Sequence, residues 1–116
     1  MRDDQGRLRD ILSSIERVQE RIGGGRQSFE SDEMLQVWVV HHLQIVGEAA
    51  RSTSRKLRAA HPEIPWTNVI AMRNLLVHEY FGVDLEEVWS TAVNDLPPLR
   101  SQVEAILAEL TPGMGL

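Results

Sequence analysis

Residues 8–22 of this chain read LRDILSSIERVQERI, and this stretch decides the fold class. Its apolar residues recur at steps of three and four positions, which is the period of one face of an α-helix. We therefore predict an amphipathic helix over residues 4–22, ended by the three glycines at 23–25. The apolar residues on its face are Leu8, Ile11, Leu12, Ile15, Val18 and Ile22.

The following segments continue the helical pattern. Ser31, with two acidic residues after it, predicts the start of a second helix that runs to about Arg58. The prolines at 62 and 65 interrupt the pattern, so a third helix is expected from about Trp66.

The C-terminal part adds one or two more helices. Asp84 is the predicted cap of a fourth helix, and Pro97 and Pro98 mark a kink or a new helix start. No stretch alternates as a strand does, so the sequence predicts an all-α, up-and-down bundle of four to five helices. The last helix is expected to be lined by Leu99, Val103, Ile106, Leu107 and Leu110.

Length and composition exclude several classes of protein. The 116 residues fit one domain, 1–116, that can bury a core. The absence of cysteine rules out disulfides and thiolate zinc sites and suits the cytoplasm, where we expect the protein. The charged N-terminus predicts no secretory signal, and the most apolar region, 34–50, is too polar to span a membrane.

The distribution of charge leaves two interpretations open. The net charge of −5 argues against a general nucleic-acid coat protein, because such binding depends on many phosphate contacts. The run Arg51–Arg58, followed by His61, is nevertheless basic. It is either a solvated helical face or a small patch that contacts phosphate.

The second predicted helix carries an unusual apolar stretch. Residues 37–40, VWVV, are apolar all the way round the helix, so more than one of its faces should be buried. Trp38, Trp66 and Trp89 are expected in the core or as anchors of a dimer interface.

Residues 73–80, RNLLVHEY, carry the chemistry of the chain. Arg73 can hold a phosphate, and His78 can move a proton near neutral pH. Asn74, one turn before His78, can orient its ring, and Tyr80 offers a hydroxyl. RNA cleavage without a metal needs such groups, because the 2′-hydroxyl loses a proton, the phosphorane gains charge and the 5′-oxygen gains a proton.

The spacing within this segment raises a geometric problem. Arg73 and Tyr80 lie nearly on one face of a helix, whereas Arg73 and His78 are about 140° apart. Either the helix ends or distorts near His78, or the site draws on two copies of the chain.

Two other features of the second helix bear on function. His41 and His42 point about 100° apart and have no further ligand at metal spacing, so we expect neither a metal nor a cofactor. Glu48 is either partly buried with a hydrogen-bond partner, or in contact with Arg73 or a neighbouring subunit.

The segment at 73–80 matches the R-x-x-x-x-H-x-Y motif of the HEPN superfamily, and the chain resembles its HepT branch from Asp10 to about Leu110. The resemblance implies a toxin of a toxin–antitoxin system that is a metal-independent ribonuclease and acts as a homodimer with a shared cleft. Arg73 and His78 would be catalytic, and Asn74 would support them. Tyr80 would be both a site residue and the target of AMP transfer by a nucleotidyltransferase-fold antitoxin. The other segments that carry the resemblance are QIVGEAA at 44–50, MRN at 72–74, YFGVD at 80–84 and VW at 88–89.

A rival interpretation comes from a different class of protein. The chain could be a non-catalytic subunit that binds a nucleotide in the same cleft or only docks on the nucleotidyltransferase. The combination of arginine, histidine and tyrosine favours the enzyme, because docking does not require all three.

Overall fold

The computed structural model describes residues 3–78 and 84–110, and for residues 74–78 it describes the backbone alone. The described residues contain no strand, and the predicted all-α fold is confirmed. The helices are α1 (Asp4–Arg21), α2 (Arg26–Glu30), α3 (Glu33–Arg51), α4 (Arg55–Ala60), α5 (Trp66–His78), α6 (Leu85–Ser90) and α7 (Leu96–Leu110).

The first helix forms as its sequence predicts. Asp3 caps α1 by accepting a hydrogen bond from the backbone nitrogen of Gly6 at 2.8 Å. The helix ends at Arg21, and a 3₁₀ turn, Ile22–Gly24, follows it. Four of the six predicted apolar residues are fully buried, and the other two, Leu12 and Ile22, pack partly buried against the core.

Helix α3 lies at the centre of the bundle. It packs against α1 on one side and α5 on the other, and α1 also packs against α7. Helices α1 and α3 are antiparallel, because contacts pair the start of one with the end of the other. These contacts join Asp4 to Ser54, Ser14 to His42 and Arg21 to Trp38.

The predicted second helix was too long at its C-terminus. Its cap is Asp32 rather than Ser31, and α3 ends at Arg51 instead of near Arg58. The hydroxyl of Thr53 donates to the carbonyl of Ala50 at 2.7 Å, and the side chain of Ser54 caps α4. Such hydroxyl side chains compete with helical hydrogen bonds, which explains why the run of residues 52–54 divides one predicted helix into two.

The remaining elements agree with the sequence, with one omission. Helix α5 begins at Trp66, and Asp84 caps α6 by accepting from the backbone nitrogens of Glu86 and Glu87. A π-helical segment, Thr91–Asp95, joins α6 to α7, and both prolines lie in the first turn of α7. The short helix α2 was not predicted.

Burial confirms the predicted core except at two exposed positions. Val39 is fully buried, but Val37 on the same helix is 63% exposed. Leu110, predicted to line the last helix, is 44% exposed. Trp38, Trp66 and Trp89 are partly buried against the core. Among the helices of the described residues, none combines the length and apolar character that a bilayer span requires.

Candidate functional site

The first feature of the site is the close approach of α3 and α5 at Arg73. A methyl group added to Gly47 would lie 2.6 Å from the backbone nitrogen of Arg73, 2.8 Å from its Cβ and 3.1 Å from its Cα. Real side chains do not approach so closely, so the two helices can meet here only because residue 47 is glycine. The backbone of Arg73 is therefore set directly against α3.

Glu48, the next residue on α3, joins two arginines. One carboxylate oxygen, Oε1, accepts from Nη2 of Arg51 at 2.9 Å, and the other, Oε2, pairs with Nε of Arg73 at 2.5 Å. The side chains of Glu48 and Arg73 are 45% and 39% exposed, so the pair lies at the surface of the bundle. The contact between Glu48 and Arg73, one of the two alternatives for this carboxylate, is therefore present.

Electrostatics around Glu48 favour its ionised form. The hydrogen bond from Arg51, followed by the charges of Arg51, Arg73 and Arg7, lowers the pKa of the Glu48 carboxyl, although burial opposes this. In return, the hydrogen bond to Glu48 raises the pKa of Arg51. Three arginines thus favour the charged form of one carboxylate, in a chain whose net charge is −5.

The basic run divides into residues with different surroundings. Arg58 serves the fold, because its Nη1 donates to the carbonyls of Ala50, Arg51 and Thr53 at 3.2, 3.0 and 2.8 Å and closes the end of α3. Arg55 and Lys56 are exposed on α4. The interpretation of this run as a solvated helical face therefore fits only some of its residues. Arg51 belongs to the candidate site, because it binds Glu48.

The other predicted site residues are only partly described. The backbone of α5 is helical from Arg73 through Asn74 to His78, so these three lie on one helix. The positions of Arg73 and His78 on α5 are therefore about 140° apart around the helix axis. Tyr80 lies outside the described residues.

An exposed apolar patch lies on the same side of α3 as the site. Val37 and Glu48 are eleven positions apart, which places them within about 20° of each other around the helix. Met34 is 83% exposed and Val37 63% exposed, and both line an open groove of about 430 Å³ with Glu33, Trp38 and His41. The apolar face and the Glu48–Arg73 pair are thus on one side of α3.

The adjacent histidines of α3 have separate surroundings. His42 is buried, and its Nδ1 lies 3.1 Å from the hydroxyl of Ser14, whereas His41 is exposed. Burial, followed by the charges of His41 and Arg17, lowers the pKa of His42. Among the side chains that the structure describes, no three metal-ligating groups lie together to hold an ion.

Sequence reasoning missed the role of Gly47. A glycine inside a helix is a signal of close packing, and residue 47 stands within the predicted second helix. The identity of its neighbour could not follow from that signal, because the contact joins residues 26 positions apart in the chain.

Comparisons with known proteins identify relatives of this chain. The model of the family described as "Ribonuclease HepT-like" matches residues 11–106. The chain is 37% identical over 101 residues to "Putative RNase TTE0752" of Caldanaerobacter subterraneus subsp. tengcongensis, covering 86% of this chain and 90% of that protein. It is 36% identical over 100 residues to "Probable ribonuclease HepT" of Thermococcus cleftensis, covering 85% and 91%. No solved structure matches the chain.

Proposed function

Because this chain belongs to the HepT-like ribonuclease family, we propose that it is a metal-independent endoribonuclease that cuts RNA with Arg73 and His78. We further propose that two copies form one site and that the protein is the toxin of a toxin–antitoxin pair. The observation that carries the proposal is the placement of Arg73. Its backbone is fixed against α3, its side chain is at the surface, and the surrounding charge is positive.

The proposed reaction needs only groups that the chain possesses. The 2′-oxygen of a ribose loses its proton to an imidazole and attacks the adjacent phosphorus. Arg73 stabilises the negative charge that develops on the phosphorane oxygens, since its planar fork matches them. The bond to the 5′-oxygen breaks as that oxygen takes a proton, which leaves a 2′,3′-cyclic phosphate and a free 5′-hydroxyl.

Two copies of the chain suit this reaction better than one. On the helical backbone of α5, the positions of Arg73 and His78 are about 140° apart, which favours a site to which two chains contribute. A dimer supplies two imidazoles, one for each proton transfer.

The exposed face of α3 is the proposed dimer contact. Met34 and Val37 leave apolar surface in water there, and a second copy would bury it. Because Val37 and Glu48 lie on the same side of α3, a two-fold contact across this patch would bring the two Arg73 residues to the same side of the assembly.

The acidic net charge is compatible with RNA as the substrate. Binding of a phosphate depends on the field at the site, and the arginines around Glu48 make that field positive. Arg55 and Lys56 on α4 follow in the chain and offer further exposed cations.

Control of the toxin is proposed to act at Tyr80. A nucleotidyltransferase-fold antitoxin would transfer AMP to its hydroxyl. The added phosphate would be negative and would lie two residues beyond His78, where it would repel the RNA backbone and compete for Arg73.

Controlled expression in a bacterial host tests this function. The wild-type chain should arrest growth and degrade cellular RNA, whereas Arg73→Ala and His78→Ala, expressed to the same level, should do neither. Co-expression with a nucleotidyltransferase encoded beside it should restore growth. Growth arrest by both variants as well as by the wild type would contradict the proposed site.

A further inference from the structure

The structure places two neighbouring residues of α3, Gly47 and Glu48, against Arg73 in different ways. Gly47 contacts its backbone and Glu48 its side chain. We propose that Glu48 is a positioning residue for Arg73 and that Gly47 is the spacer that brings α3 close enough for Glu48 to act. This inference rests on the proposed ribonuclease function, in which Arg73 binds the phosphate.

The contact at Gly47 fixes where α5 lies. The atoms that a methyl group at residue 47 would meet are the backbone nitrogen, Cα and Cβ of Arg73. None of these is the end of a flexible side chain, so a larger residue could be accommodated only by moving α5 away from α3. Any such movement carries the base of the Arg73 side chain with it.

The carboxylate of Glu48 fixes how the Arg73 side chain is oriented. Its Oε2 pairs with Nε, the guanidinium nitrogen nearest the backbone, and so sets the plane of the group relative to α3. The carboxylate is itself held, because Oε1 accepts from Arg51 at 2.9 Å. A carboxylate bound through both oxygens has less rotational freedom. The Arg73 side chain that is paired with it is therefore restricted as well.

Glu48 orients Arg73 without cancelling the positive field. Arg7, Arg51 and Arg73 give three positive charges against the single negative charge of Glu48. The site therefore keeps its attraction for an anionic phosphate while Arg73 loses rotational freedom. A catalytic group that is already oriented stabilises the transition state most effectively. Displacing such a group by about 1 Å can lower the rate on the order of 100-fold.

The predicted signature is a loss in kcat with little change in KM. Replacing Glu48 by Gln keeps the shape and one acceptor oxygen but removes the charge that holds two arginines. We expect kcat for RNA cleavage to fall by about 10- to 100-fold. KM should change by less than about threefold, because the positive charges that attract RNA remain. Gly47→Ala should reduce kcat in the same way by displacing α5.

Two variants provide matched controls. Glu30→Gln breaks the pair between Arg26 and Glu30 on α2, which has the same 2.9 Å length as the Arg51–Glu48 bond and similar exposure. Gly23→Ala adds a methyl group where no atom lies within 4 Å. Both should cleave RNA with wild-type kcat and KM.

The deciding experiment combines steady-state RNA cleavage with nuclear magnetic resonance of the arginine Nε–H groups. In the wild-type protein the Nε–H signal of Arg73, assigned by its loss in Arg73→Ala, should exchange slowly with water, and in Glu48→Gln it should exchange faster. Slow exchange that persists in Glu48→Gln, or an unchanged kcat in that variant, would overturn the positioning role. Glu48→Gln keeps the proposal testable even if Gly47→Ala does not fold.

The same experiment separates the two proposals. A wild-type protein that does not cleave RNA would overturn the proposed function, and the exchange of the Arg73 signal would still decide whether Glu48 holds this side chain. Cleavage that is lost in Arg73→Ala but unchanged in Glu48→Gln would leave the function in place and refute the positioning role alone.

Discussion

The Nδ1 atom of His42 lies 3.1 Å from the hydroxyl oxygen of Ser14, so α3 and α1 are joined by a polar contact between buried side chains. Within the part of the chain that the structure describes, the other ring nitrogen, Nε2, is buried without a hydrogen-bond partner. Protonating this ring would place a charge in the core. His42 is therefore a group that links folding stability to pH.

We expect the wild-type protein to lose stability as the pH falls from 7.5 to 5.5. Burial lowers the pKa of His42 in the folded state, so the unfolded chain takes up the proton first. The stability that the neutral His42 contributes is fully present above the pKa of histidine in the unfolded chain, about 6.5. This contribution declines as the pH falls below that value. Urea denaturation at several pH values measures the effect, and His42→Gln should show a flatter dependence. An equal slope in both proteins would contradict the buried neutral imidazole.

Gly47→Ala should destabilise the protein, because the added methyl group must push α5 from α3. Overpacking of this kind costs about 1–3 kcal/mol in unfolding free energy. Gly23→Ala, whose methyl group enters open space, should stay within about 0.5 kcal/mol of the wild type. Equal urea midpoints for the two variants would show that the helices do not meet as closely as described.

The exposed face of α3 predicts the state of assembly. Val37→Asp should convert the proposed dimer into a monomer, because a charge at the centre of an apolar contact loses its water without gaining a partner. Leu110→Asp is the control, since it places the same charge on an exposed leucine at the end of α7. Light scattering at micromolar concentration measures both masses. A wild-type monomer, or a dimer that survives Val37→Asp, would contradict this interface.

The sequence predicted the elements whose signals are local. The apolar period of α1 and the caps at Asp84 and near residue 32 needed only neighbouring residues to be recognised. Helices α1, α3 and α6 each begin within about one residue of the expected start. The break between α3 and α4 was missed because hydroxyl residues interrupt a helix only when their side chains bind backbone groups, as those of Thr53 and Ser54 do here. Arg58 also donates to carbonyls at the end of α3.

The sequence predicted the motif of the candidate site but not the contacts that hold it. Arg73 and His78 were singled out by their chemistry and by the resemblance of their segment to the HEPN motif, and their catalytic roles stay a prediction. The contact of Glu48 with Arg73 was one of two open alternatives, and the close approach at Gly47 was not foreseen. Both depend on how α3 and α5 pack, which joins positions far apart in the chain.

Co-expression with the proposed antitoxin should add AMP to Tyr80, and mass spectrometry of the tryptic peptides would locate it. Tyr80→Phe should remain unmodified, because it lacks the hydroxyl that accepts the group. If it keeps its activity, it should arrest growth even beside the antitoxin, unless binding alone is sufficient for neutralisation. An unmodified Tyr80 after co-expression with an active nucleotidyltransferase would refute the covalent mechanism.

The most direct test of the central claim is cleavage of a labelled RNA by the purified protein in excess EDTA, with analysis of the product ends. The account predicts cleavage that leaves a 2′,3′-cyclic phosphate or its 3′-phosphate product. Arg73→Ala and His78→Ala, shown to be folded by circular dichroism, should each reduce the rate by at least about 100-fold. Cleavage that requires Mg²⁺, or that persists in both variants, would contradict a site built on Arg73 and His78.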